Sequence, residues 1–133
     1  MASRHGKSDI QVKRVYEDAS PDVGARFLVD GLWPRGIQKK ALASVQWVKE
    51  VAPSASLRKW YSHDPEKWNE FQKRYRAELS KNSDALKPLV DAAKKGTVTL
   101  LTSTHDVEIS HAMVLKVLLK RGPSSRFIWG WGH

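Results

Sequence analysis

Two short apolar runs, residues 26–30 (Arg-Phe-Leu-Val-Asp) and 97–101 (Thr-Val-Thr-Leu-Leu), bracket a long stretch whose apolar residues recur with helical spacing. Each run reads as a strand buried on both faces. A strand–helices–strand connection within one sheet is a right-handed crossover that leaves its two strands parallel. Their C-terminal ends then share a rim, and the loops leaving them, 30–36 and 102–111, meet there. Open α/β sheets build their sites at such a rim. This relation sets the expected fold class: a small, mostly parallel sheet covered by helices, in a single α/β domain. A chain of 133 residues has the length for one such core.

The rest of the chain fills in around these runs. Residues 10–15 alternate as a strand, with Ile10, Val12 and Arg14 on one face. The link to the next strand contains Ser20-Pro21-Asp22 and Gly24, which are turn residues, and no helical pattern. A hairpin is the default for so short a link. About ten extended residues nevertheless span roughly 33 Å, enough for a parallel return. Only the parallel arrangement brings Arg14 and Tyr16 to the rim that holds Asp30.

Residues 39–51 read as a helix with Leu42, Val45 and Val48 inward, ended by Pro53. A helical turn at 54–60 precedes a helix over 64–80. That helix starts with Asp64 as cap and Pro65 at its first position, and it carries a core stripe of Trp68, Phe71, Tyr75 and Leu79. A further helix spans 84–95, with Pro88 in its first turn and Gly96 at its end. The last helix covers 107–120. Residues 1–8 read as a polar tail, 9–122 as the domain, and 123–133 as an extension with Phe127, Trp129 and Trp131, either an added strand or an adhesive tail.

Composition excludes several chemistries. There is no Cys, hence no disulfide, no thiolate zinc site and no thiol nucleophile. A Gly-rich dinucleotide fingerprint and a Gly-x-Ser-x-Gly elbow are both absent. His105, Asp106 and His111 lack the spacing of a metal motif. No cofactor and no metal are therefore expected. No apolar run approaches the ~20 residues that cross a bilayer, and the polar start lacks a signal segment. The expected setting is the cytoplasm, without a membrane partner. Lys and Arg number 23 against 14 Asp and Glu, a net charge of +9. Such a balance favours anionic partners, either a small phosphate- or nucleotide-type ligand or, as the alternative, nucleic acid. The basic residues are dispersed, with no dense arm.

At the shared rim the first loop offers Asp30, Trp33 and Arg35, and the second offers Thr104, Asp106 and His111. Arg35 is suited to clamp a phosphate or carboxylate with two parallel hydrogen bonds. Asp30 is suited to act as a base or to orient a histidine, and His111 or His63 to carry a proton. Asp30, Arg35 and His111 are thus the candidate catalytic residues. Arg14, Trp33, His63, Thr104 and Asp106 are the candidate binding residues, Trp33 as an apolar or stacking wall. Plainer roles stand beside these: a loop-fixing Asp30–Arg35 ion pair, Asp106 as the cap of the last helix, and His63 as a surface residue. The residues leave open whether a ligand is held or turned over.

Blocks in consistent order, among them Ile-Gln-Val-Lys-Arg-Val-Tyr at 10–16, Val-Asp-Gly-Leu-Trp-Pro-Arg-Gly at 29–36, Trp-Val-Lys-Glu-Val-Ala-Pro-Ser at 47–54 and His-Asp-Pro-Glu-Lys-Trp at 63–68, resemble the YeaO-like family. This is a bacterial and archaeal branch of the group called domain of unknown function 488. The resemblance covers about residues 10–119. It implies a small α/β domain with no established activity, and a site formed by the two loops around Val29-Asp30 and Ser110-His111. The chain departs from the family pattern at Gly31, where an arginine is usual, and at Ile109 and Ser110, where histidine and asparagine are common. These departures imply a copy that binds differently or has lost the family's chemistry.

Overall fold

Residues Val98–Thr102 are buried along their whole length, because this strand, β4, lies inside the sheet with a neighbour on each side. The computed structural model describes residues 9–17 and 24–120. Within them, β1 (Ile10–Arg14), β2 (Ala25–Leu28) and β3 (Gln46–Trp47) complete a four-stranded sheet of order β1-β4-β2-β3. Every pairing is parallel, with Ile10 opposite Val98, Ala25 also opposite Val98, and Phe27 opposite Gln46. The hairpin reading of the first link is therefore corrected. β1 and β2 run the same way and are not neighbours, because β4 inserts between them. Arg14 and Asp30 consequently emerge on one rim.

The helices are α1 (Ala55–Tyr61), α2 (Trp68–Lys81), α3 (Lys87–Lys95) and α4 (His111–Lys120). They share one core with one face of the sheet. Ile10, Phe27, Val29, Val98 and Leu100 pack there with Leu57, Phe71, Tyr75, Leu79, Leu89 and Leu115. The expected core stripe of α2 holds for Phe71, Tyr75 and Leu79, with Trp68 packed at its margin. Each such side chain contributes about 1.5–3 kcal/mol by leaving water. Ser54 caps α1 by accepting from the Leu57 N–H at 3.1 Å, and Asp64 accepts from the Glu66 N–H at 3.0 Å where the chain enters α2. Pro88 stands in the first turn of α3, where no backbone hydrogen bond is lost. Among the described residues no helix is long and apolar enough to cross a membrane.

The opposite face is covered by the chain that leaves β2. Val15, Leu28 and Leu101 pack there with Leu42, and Trp33, Ile37, Val45 and Trp47 close the edge. The expected helix over 39–51 does not form. Two 3₁₀ turns, Lys39–Leu42 and Lys49–Val51, flank β3 instead. The spacing of Leu42, Val45 and Val48 is three residues, which suits a 3₁₀ turn as well as an α-helix. Two hydrogen bonds decide between them: the Val48 N–H donates to Leu28 O at 2.9 Å and Trp47 Nε1 donates to Asp30 O at 2.7 Å. The turn at 20–22, the tail at 1–8 and the extension at 123–133 lie outside the described residues.

Gly24 starts β2 with a φ of +63°, and a β-carbon there would stand 2.2 Å from Thr97 O. Gly36 has a φ of +81° with open space around it. Gly24→Ala is therefore expected to lose clearly more than about 1 kcal/mol, and Gly36→Ala about 1 kcal/mol. Urea unfolding of the two variants measures this order, and equal losses would contradict the close approach at Gly24.

Candidate functional site

β2 ends in Leu28, but the chain stays extended through Val29, whose N–H donates to Leu101 O at 3.1 Å. This carries Asp30 to the end of β4. There its carboxylate accepts four donors. Thr102 Oγ1 lies 2.7 Å from Oδ1, while Ser103 N and Ser103 Oγ each lie 2.8 Å from Oδ2. His111 Nε2 lies 3.3 Å from Oδ1 and 2.9 Å from Val29 O. A carbonyl oxygen only accepts, so Nε2 carries the hydrogen in this contact. Burial alone pushes the Asp30 acid up. The hydrogen bond and charge of His111, with the Ser103 N–H and Thr102 hydroxyl, outweigh it and hold the carboxyl below the usual aspartate range. Asp30 is a buried carboxylate held ionised by its neighbours.

Around this carboxylate opens a cleft of about 670 Å³. It brings together all three candidate catalytic residues, Asp30, Arg35 and His111. It also takes in four of the five candidate binding residues: Arg14, Trp33, His63 and Thr104. The fifth, Asp106, is not in the lining. Its side chain is two-thirds exposed beside the still more exposed His105, 3.8 Å away. Nor does Asp106 cap the following turn, since its side chain accepts no N–H there. The plainer alternative, a loop-fixing Asp30–Arg35 ion pair, is not formed: Asp30 is engaged elsewhere, and among the described residues no carboxylate pairs with Arg35.

The walls are tied down by hydrogen bonds from aromatic side chains. Tyr16 OH donates to Arg35 O at 2.9 Å, fastening the first loop to the end of β1, and the Arg14 guanidinium lies 5.0 Å from the Tyr16 ring centre. Trp33 is half-buried, edge-on to Trp47 at 5.3 Å, and its Nε1 donates to Ile37 O. Tyr61 OH donates to Ile109 O at 2.8 Å, joining α1 to the second loop. Burial, then the charges of Asp64 and Asp106, push that phenol up to about 12, so it remains a donor through neutral pH. His63 reaches the cleft from a link in which Ser62 (φ 47°) and His63 (φ 56°) are both left-handed.

Sequence reasoning missed Arg58, which enters the lining from α1. Leu57 and Tyr61, one helical turn apart, are the buried positions of that helix, so the residue after Leu57 falls at the margin of the buried face. That spacing was the available signal. With Arg58 the lining holds three arginines, and its one acid is the already satisfied Asp30. Among the described residues no three His, Asp or Glu side chains are grouped to hold a metal ion.

The model of a family described as "Inactive DUF488-N3 subclade" matches residues 9–125. The chain belongs to the DUF488 family. An uncharacterised protein of Mycobacterium tuberculosis H37Rv is 48% identical over 110 residues, covering 83% of this chain and 92% of that one. The uncharacterised protein YeaO of Escherichia coli K12 is 45% identical over 107 residues, covering 80% of this chain and 93% of its own. No solved structure matches the chain. The DUF488 membership agrees with the resemblance read from the sequence blocks, and the small α/β domain it implied is the fold observed.

Because the Asp30 acid is stronger in the folded chain than in the unfolded one, its contribution to stability is complete above the ordinary aspartate pKa of about 3.9. It is lost as pH falls below that through the lower folded value. Asp30→Asn is expected to cost about 2 kcal/mol near neutral pH, with the difference from the parent shrinking in acid. Urea unfolding of both proteins across that range measures it, and a pH-independent difference would contradict the ionised carboxylate.

Proposed function

We propose that this DUF488 domain binds a small anionic ligand of the phosphate or nucleotide class in the cleft, and that its task is to hold the ligand rather than to transform it. The observation that carries the reading is the charge of the lining. Arg14, Arg35 and Arg58 come from three separate elements, and the one acid among them is buried and fully hydrogen-bonded. Guanidinium groups match phosphate oxygens in planar, two-point contacts. The first residue of α4, His111, also lines the cleft, so the positive end of that helix adds to the field.

Holding is favoured over turnover by the state of Asp30. A general base needs a lone pair facing the substrate. Both Asp30 oxygens are engaged by Thr102 and Ser103, and His111 Nε2 donates inward to Val29 O, which ties the ring to the end of β2. Asp30 and His111 then serve as orienting groups that fix the two loops. The description of the matching subclade as inactive supports the same choice.

Arg35→Ala is expected to weaken binding about tenfold or more, the size of one lost charge-assisted contact. Calorimetric titration with a panel of nucleotides and phosphorylated metabolites tests this. Absence of any binding to the parent protein at millimolar ligand would overturn the reading. The net charge of +9 favours a second reading, nucleic-acid binding. It predicts affinity falling steeply with salt and spread over many lysines, with little response to Arg35→Ala.

A further inference from the structure

Gly31 follows Asp30 in the cleft lining, and its φ lies outside the left-handed region, so no backbone demand calls for glycine there. A β-carbon built on it meets the Ala52 methyl at 3.4 Å and Cζ and Nη2 of Arg58 at 3.9 Å. These are ordinary contact distances, so a methyl group would fit without moving the backbone. What glycine leaves is a gap of about one methyl group beside the Arg58 guanidinium, where both residues line the cleft. Without a side chain at Gly31, a ligand group bound to Arg58 can approach the backbone closely.

Arg58 is suited to use that space. It is exposed at the cleft, and among the described residues no carboxylate pairs with it. The other cations approach from the end of β1 and from the far part of the first loop, so Arg58 is the cation contributed by the helical layer. A volume of about 670 Å³ is also that of a pocket for an organic molecule.

We propose that Arg58, where the cleft passes the Gly31 backbone, is a second anion subsite, and that the ligand carries two linked anionic groups, as in a diphosphate. One group sits with Arg35 and Arg14, the other with Arg58 against the Gly31 backbone. This inference rests on the anion-binding reading above and names its ligand more closely. No bond is made or broken; the subsite confers selectivity for two linked charges over one.

The test is calorimetric titration of the full chain with inorganic phosphate and with pyrophosphate at constant ionic strength, for the parent, Arg58→Ala and Gly31→Ala. Arg58→Ala is expected to weaken pyrophosphate binding about tenfold or more while changing phosphate binding less than about threefold. Gly31→Ala, which fills the gap and keeps the cation, is expected to shift the same ratio in the same direction by a smaller factor. Circular dichroism checks that both variants fold. Equal losses for the two anions in Arg58→Ala, or no loss for either, would overturn the subsite while leaving the anion-binding reading in place. Failure of the parent to bind either anion would overturn both.

Discussion

The Asp30 carboxylate is the joint on which this molecule depends. Burying an ion costs several kcal/mol unless donors replace its water. Here the donors come from the end of β4, from the residue after it, and from the first residue of α4. One side chain therefore fastens β2, β4 and α4 to each other at the same rim. Its backbone oxygen takes the Trp47 indole N–H and so holds β3 as well. The parallel topology makes this economical, since every strand delivers its C-terminal end to that rim.

Behind the joint stands a ladder of rings that keeps the cleft wall stiff. Tyr61 stacks on Phe71 at 4.2 Å, Phe71 on Tyr75 at 5.7 Å, and Tyr75 meets His111 edge-on at 6.0 Å. Both phenols find carbonyl partners, Tyr61 at Ile109 and Tyr75 at Val51, so the ladder also ties α1 and α2 to the connecting loops. Burial holds the Tyr75 phenol well above its ordinary range, which keeps its hydrogen in place. The arginines stand in front of this wall. Beside them, Ser62 and His63 hold a left-handed backbone that costs of order 1 kcal/mol per residue, a kind of strain that gathers at binding sites. A buried, acid-centred floor thus lies beneath a cationic mouth, and both oxygens of its carboxylate are already engaged by donors.

The floor was readable from the sequence, and the mouth only in part. An apolar run ending in Val29-Asp30, a second run ending at Thr102, and helices between them sufficed to place Asp30, Arg35 and His111 together. Parallel crossovers leave little choice of geometry there. The link between β1 and β2 was ambiguous because its length permits two topologies, and the insertion of β4 between those strands is decided by sheet packing. The 39–51 segment misled because Leu42, Val45 and Val48 have the same spacing in two kinds of helix, and a bond to Leu28 O breaks the longer one. Arg58 was hidden for another reason. In a seven-residue helix a lone arginine reads as a solvated charge, and only the packing of Leu57 and Tyr61 turns it toward the cleft. Asp106 lies within the second loop yet its side chain faces outward, since membership of a loop does not fix side-chain direction.

The central claim is that one buried, ionised carboxylate organises the cleft. Carbon-13 NMR of the Asp30 side-chain carboxyl, followed while the protein is acidified, tests it most directly. The account predicts that the resonance keeps its ionised position below the pH at which an ordinary aspartate titrates, and that it changes together with the Ser103 amide signal. Titration at or above the ordinary aspartate value, or a Ser103 amide indifferent to it, would contradict the account.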